Sequence, residues 1–163
     1  MPCPCEALFS ILQSKLGGFS NLKVLDLFAG SGALAIESLS RGALSACLVE
    51  KSQASGKIIL ENLNRCHLSA KTEVIIQDAL QALQSFSPHS FDLIFLDPPY
   101  RQGLAAGALC KIDQLELLND NGIICIETGS DESIPEPVGQ LQRIDQRRYG
   151  TIMINFYSRE EVL

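Results

Sequence analysis

Val24-Leu25-Asp26-Leu27-Phe28-Ala29-Gly30-Ser31-Gly32-Ala33-Leu34-Ala35 runs as an apolar strand, turns through two glycines and enters an apolar-periodic helix that continues to Leu39. A strand, a glycine loop and a helix in this order make a nucleotide cradle. Gly30 and Gly32 let the backbone approach a ligand closely, and the N–H groups at the helix start suit a carboxylate or phosphate. As a fingerprint the loop is G-x-G-x-x-A, which dinucleotide enzymes also use, so it decides the fold before it decides the ligand.

Outward from this unit, apolar runs near Leu22–Phe28, Leu44–Val49, Thr72–Gln77, Phe91–Leu96 and Gly122–Glu127 alternate with helical stretches. That βα rhythm predicts an α/β fold with a parallel sheet. Gln140–Arg147 and Thr151–Tyr157 then follow each other across a Tyr149-Gly150 turn, and the alternation in the second predicts a terminal β-hairpin. A chain of 163 residues, 46% of them hydrophobic, suffices for one well-buried domain and is short for two, so residues 1–163 are expected to form a single domain.

The run Phe91-Asp92-Leu93-Ile94-Phe95-Leu96 ends in Asp97-Pro98-Pro99-Tyr100. Functional groups gather at the C-terminal ends of strands in open α/β sheets. Two prolines there fix φ and leave carbonyls without competing N–H groups. One such carbonyl and the Asp97 carboxylate can together accept both hydrogens of an NH2 group, while Tyr100 offers a ring on which a planar base can stack. The plainer alternative is a Pro-Pro turn with Asp97 as a cap and Tyr100 as rim packing.

Three further carboxylates share the pattern. Glu50, followed by Lys51, ends the second strand at the spacing where an acidic residue takes ribose hydroxyls. Asp78-Ala79 ends the third, where Asp78 either accepts an adenine amine or N-caps a helix from Ala79 to Phe86. With Asp26 and Asp97, four acids thus stand at the ends of four successive strand-like runs. Such a cluster suits a sulfonium cation better than a pyrophosphate. The expected cofactor is therefore S-adenosylmethionine.

The segments Glu6-Ala7-Leu8-Phe9-Ser10-Ile11-Leu12, Asp26 to Gly32, Ser40-Arg41-Gly42-Ala43, Val49-Glu50-Lys51, Asp92 to Tyr100 and Arg148-Tyr149-Gly150-Thr151 resemble, in order, those of the RsmD-type guanine-N2 methyltransferases of bacterial small-subunit ribosomal RNA, a class I S-adenosylmethionine-dependent family. The resemblance implies a Rossmann-like sheet, mostly parallel with an antiparallel C-terminal strand and helices on both faces. It implies methyl transfer to the exocyclic N2 of one guanine in 16S RNA; the acidity of the chain adds the expectation of an assembling small subunit, where protein contacts are available, as the substrate. On that reading Asp97, Pro98, Pro99 and Tyr100 form the catalytic motif, and Asp26, Phe28, Ala29, Gly30, Ser31, Gly32, Glu50, Lys51, Asp78, Ala79 and Asp97 hold the cofactor. The family's basic N-terminal β-hairpin and Arg-Pro-Thr stretch have no counterpart in Met1-Pro2-Cys3-Pro4-Cys5, which makes RNA docking less secure than cofactor binding.

The formal charge of −6 argues against gripping naked RNA by counterion release alone. Arg101, Arg143, Arg147 and Arg148 are the candidate phosphate contacts, with solvated surface arginines as the alternative. The six cysteines and two histidines lack metal-ligand spacing, so no metal is expected. No signal peptide or membrane-length apolar run is visible, which predicts a cytoplasmic protein. The competing functions are a DNA amino-methyltransferase using the same Asp-Pro-Pro-Tyr chemistry, which leaves no room for a target-recognition domain, and a cofactor-binding remnant without catalysis. A dinucleotide oxidoreductase is more remote, since Asp-Pro-Pro-Tyr has no role there.

Overall fold

The computed structural model describes residues 4–99 and 103–159. Its strands are β1 (Lys23–Asp26), β2 (Ser45–Glu50), β3 (Thr72–Ile76), β4 (Phe91–Leu96), β5 (Leu118–Gly129), β6 (Leu141–Tyr149) and β7 (Ile152–Arg159). They form one sheet in the order β3-β2-β1-β4-β5-β7-β6. The first five are parallel. β7 enters antiparallel between β5 and β6, so the expected hairpin is present and its second strand lies inside the sheet.

The helices are α1 (Pro4–Leu16), α2 (Ala33–Ser40), α3 (Gln53–Arg65), α4 (Ala79–Leu83) and α5 (Leu104–Gln114). Alternation along the strands divides the core between two faces. Val24, Leu48, Leu93, Phe95, Cys125 and Phe156 pack under α1, α2 and α3, whereas Leu25, Val49, Ile94, Leu96, Ile126 and Tyr157 pack under α4 and α5. Strands buried on both sides read as continuous apolar runs, which is why β2 and β4 are plain in the sequence.

Two elements differ from expectation. The helix after Asp78 ends at Leu83 rather than Phe86, and the next residues turn. β5 begins at Leu118, ahead of the polar Asn119-Asp120-Asn121-Gly122, and its register with β4 shifts between Phe91 and Leu93. Asp92 explains how polar residues are kept in that strand: its carboxylate accepts the Lys23 N–H at 2.9 Å and the Asn119 side-chain amide at 2.7 Å. One side chain thereby ties the starts of β1, β4 and β5. Asp92→Ala is expected to cost about 1–2 kcal/mol in guanidinium unfolding, the range for losing a charge-assisted hydrogen bond; a loss below about 0.3 kcal/mol would remove this account of the β5 entry.

Burial pushes the Cys47 thiol up to about 12, with Glu73 adding to the shift, and also raises Cys125. Both cysteines behave as small hydrophobes in their strands. No helix among the described residues is long and apolar enough to cross a membrane.

Candidate active site

Chain order reverses at β1, which lies between β2 and β4. Ligands of open α/β sheets bind at such a switch point, beyond the carboxyl ends of the strands. A cleft of about 640 Å³ opens there, lined by Phe28, Gly30, Glu50, Lys51, Asp78, Ala79, Asp97, Pro98 and Pro99 among the residues expected from the sequence, and also by Leu27, Val49, Gln77, Leu80 and Leu104. The structure thus brings together residues from the ends of β1, β2, β3 and β4. Tyr100 and Arg101 lie outside the described residues.

The glycine loop is held by its neighbours. The Leu27 N–H donates to the Phe95 carbonyl at 3.1 Å, the Ala29 N–H to the Val49 carbonyl at 3.0 Å and the Gly32 N–H to the Ala29 carbonyl at 2.8 Å. Gly30 turns at φ 58° with open space where a Cβ would stand, and Gly32 at φ 84° would bring a Cβ to 3.1 Å from Leu48. Gly32 precedes α2 and supplies no side-chain cap, so the first-turn amides of that helix stay available to an acceptor. Ala29 is buried, Gly32 is packed beneath the loop, and the Ser31 carbonyl accepts from Asn62 at 2.9 Å. None of these three lines the cleft; they shape the turn behind it.

The acids fall into distinct environments. Asp26 is only 1% exposed, and neither carboxylate oxygen has a hydrogen-bond partner among the described residues. Burial raises its pKa to about 7, helped by Asp97 and Glu50; the Ala35 amide opposes the shift without closing a hydrogen bond. Asp97 reaches the open mouth, yet protein crowds its carboxyl, which is likewise raised to about 7 by desolvation and then by the charge and hydrogen bond of Glu127. Asp78 is the N-cap of α4, accepting the Gln81 N–H at 3.2 Å, and it also lines the cleft.

Glu127 was counted in the sequence only as the end of an apolar run. It is the carboxylate of the fifth strand, and the same regularity that marks Asp26, Glu50, Asp78 and Asp97 picks it out. Leu96 pairs with Ile126 in parallel register, so Asp97 and Glu127 are the next residues out on adjacent strands.

The model of the family described as Conserved hypothetical protein 95 matches residues 5–158 of this chain. The chain belongs to that family. The ribosomal RNA small subunit methyltransferase D of Escherichia coli K12 is 31% identical over 156 residues, 95% of this chain and 76% of that protein. YlbH of Bacillus subtilis, named as a provisional rRNA methyltransferase, is 34% identical over 94% of this chain and 83% of its own length. Among solved structures, a conserved hypothetical protein of Streptococcus pyogenes superposes with a TM-score of 0.86 at 31% identity, over 94% of both chains. As a member of the Conserved hypothetical protein 95 family with these relatives, the chain is an enzyme of the methyltransferase class, with the fold and family that the motifs imply, and it uses a methyl-donor cofactor.

Three of the sequence's candidate arginines stand apart from the cleft, on β6. Arg143 pairs with Glu136 at 3.0 Å and Arg147 with Asp145 at 3.0 Å, while the Arg148 Nε donates to the Gly150 carbonyl at 3.0 Å. Asp145 also takes Lys15 at 2.9 Å, and Arg147 together with Lys15 holds its carboxyl well below the usual range. Through β7, Arg147 aligns with Glu127 and Arg148 with Thr128. These two arginines therefore stand on the same sheet edge as the cleft, about 10 Å from the end of β5 at ordinary strand spacing.

Proposed function

We propose that this single-domain chain transfers a methyl group from S-adenosylmethionine to the exocyclic N2 amine of a guanine in small-subunit ribosomal RNA. The observation that carries this reading is the placement of Asp97, Pro98 and Pro99 at the end of β4, on the same cleft as the glycine loop and Glu50. The names of the relatives support the RNA as acceptor.

The residues fit S-adenosylmethionine. Glu50, Asp78 and Asp97 line the cleft, and behind its lining Asp26 is a buried carboxylate with neither oxygen partnered among the described residues; together they make an acceptor set matched to an ammonium, ribose hydroxyls and an adenine amine. The uncapped amides of α2 suit the ligand's carboxylate. When bound, the cofactor supplies a sulfonium-activated methyl carbon. Asp97 and the Pro98 carbonyl accept the two N–H bonds of the guanine amine, which turns the nitrogen lone pair toward that carbon. Tyr100 stacks on the extruded base, whose extrusion costs a few kcal/mol. Holding nucleophile and electrophile in line supplies most of the acceleration. With the N–C bond formed and the methyl–sulfur bond broken, the nitrogen would be acidic and its proton would pass to an Asp97 carboxylate oxygen, so a strong base would be unnecessary.

Arg147 and Arg148 contact RNA phosphates along the rim, with Arg143 further along the same strand, and Arg101 is the phosphate contact that follows Asp97-Pro98-Pro99-Tyr100 in the sequence. An acidic enzyme gains from a substrate already partly covered by protein, which favours an assembling subunit in the cytoplasm over naked RNA.

Incubating the protein with methyl-labelled S-adenosylmethionine and small subunits from cells lacking the modification, then digesting the RNA, should give labelled N2-methylguanosine by mass spectrometry. Label in N6-methyladenosine or N4-methylcytosine, or no label from a protein that binds the cofactor, would overturn the reading.

A further inference from the structure

We infer that Glu127 reads the ring N1–H of the target guanine beside the amine held by Asp97, making it a specificity-determining residue. The inference rests on the guanine reading above. The parallel register of β4 and β5 sets Asp97, one residue beyond β4, beside Glu127, which is still paired with Ile154 of β7, and their carboxyls hydrogen-bond to each other. Glu127 is half-buried and flanked by the buried Ile126 and Thr128, so its backbone is fixed.

Base chemistry explains why a second carboxylate belongs there. The N2 amine of guanine is flanked by N1–H, a donor. The amines of adenine and cytosine are flanked by N1 and N3, both acceptors. One acid with the Pro98 carbonyl is enough for an amine on any of these bases. A second ionised acid next to it fits guanine and sets a lone pair against a lone pair for the other two. Where the two carboxyls share a proton, guanine replaces that O–H donor with its own N1–H, and the displaced proton leaves to solvent. Among the described residues, Asp26 and Cys125 face the pair from within the sheet, and Arg147, in register with Glu127 two strands away, is already paired with Asp145.

The test uses 2-aminopurine, which keeps the 2-amine but carries an acceptor at N1. Once the modified guanine is located, that position is replaced by 2-aminopurine in reconstituted small subunits. At pH 8 the wild type should prefer guanine by roughly 10- to 100-fold in kcat/KM, the discrimination expected for one good hydrogen-bonded base contact. In Glu127→Gln the amide N–H can meet N1 of 2-aminopurine, and the ratio should fall to within about threefold. Fluorescence of the 2-aminopurine gives a readout independent of turnover: Glu127→Gln should take up this RNA more tightly than the wild type does. A wild-type ratio near one overturns the inference without any variant. Equal losses on both substrates, with the ratio unchanged, would leave Glu127 as a support for Asp97 and also overturn it. If the wild type methylates no guanine at all, the proposed function fails and takes this inference with it.

Discussion

Asp97→Ala lowers kcat/KM for methyl transfer about a thousandfold while the protein remains folded. On the proposed mechanism the alanine removes the acceptor that orients the amine and takes its proton. Losing one preorganised hydrogen-bonding group in an active site costs about 10²–10³ in rate, and the proton's destination goes with it. The fold does not depend on this side chain, because among the described residues its carboxyl sits against Glu127 and raises the pKa of Asp26 rather than pairing with a cation. Melting temperature at pH 8 should therefore hold or rise. Single-turnover assays on unmodified small subunits, with thermal unfolding alongside, check both halves. Activity within tenfold of wild type would move the amine clamp away from Asp97.

Asp26→Asn should stabilise the ligand-free protein at pH 8 and leave it little changed at pH 4. The sign follows from the direction of the shift. A carboxyl raised from 3.8 to about 7 in the folded state binds its proton more tightly there than when unfolded. Its contribution is fully present below the unfolded pKa and is lost as pH rises toward 7. A shift of that size corresponds to at most about 4 kcal/mol. Asparagine keeps the shape and never acquires the charge, so guanidinium unfolding of the variant should lose most of the wild type's decline between pH 4 and 8. Equal slopes for the two proteins would show that Asp26 is not the group responsible. The same variant should bind S-adenosylmethionine at least tenfold more weakly, since a neutral amide replaces an ionised acceptor. Function here is set against stability, a common arrangement at active sites.

The fold was legible because its central strands, β1, β2 and β4, are buried on both sides and the helices between the strands are short and regular. Val24 to Ala35 is one continuous signal, and Thr151 to Tyr157 alternates as a strand must. The start of β5 was hidden: Asn119-Asp120-Asn121-Gly122 has the composition of a turn, and it joins the strand through partners distant in sequence, Asp92 for Asn119 and Arg159 for Asp120. In the site, acids at strand ends could be read one strand at a time. Glu127 was passed over because its meaning lies in its neighbour, and that neighbour is set by the pairing of β4 with β5. The pairing of Arg147 with Asp145 two residues earlier was open to view, since alternate residues of a strand share a face.

β7 is the last of the seven strands in the sequence, yet it fills an interior slot between β5 and β6. During translation, β1 to β4 and their crossover helices can assemble as they emerge, but β5 keeps a bare edge until Ile152–Arg159 have left the ribosome. The edge exposed in that interval includes Ile124, Cys125 and Ile126, an apolar run of the kind that invites wrong pairing. Arg147 and Arg148 reach their places on the rim only when β7 closes the gap, so a nascent chain of this enzyme has its glycine loop and its Asp97-Pro98-Pro99 segment before it has the basic side of its mouth.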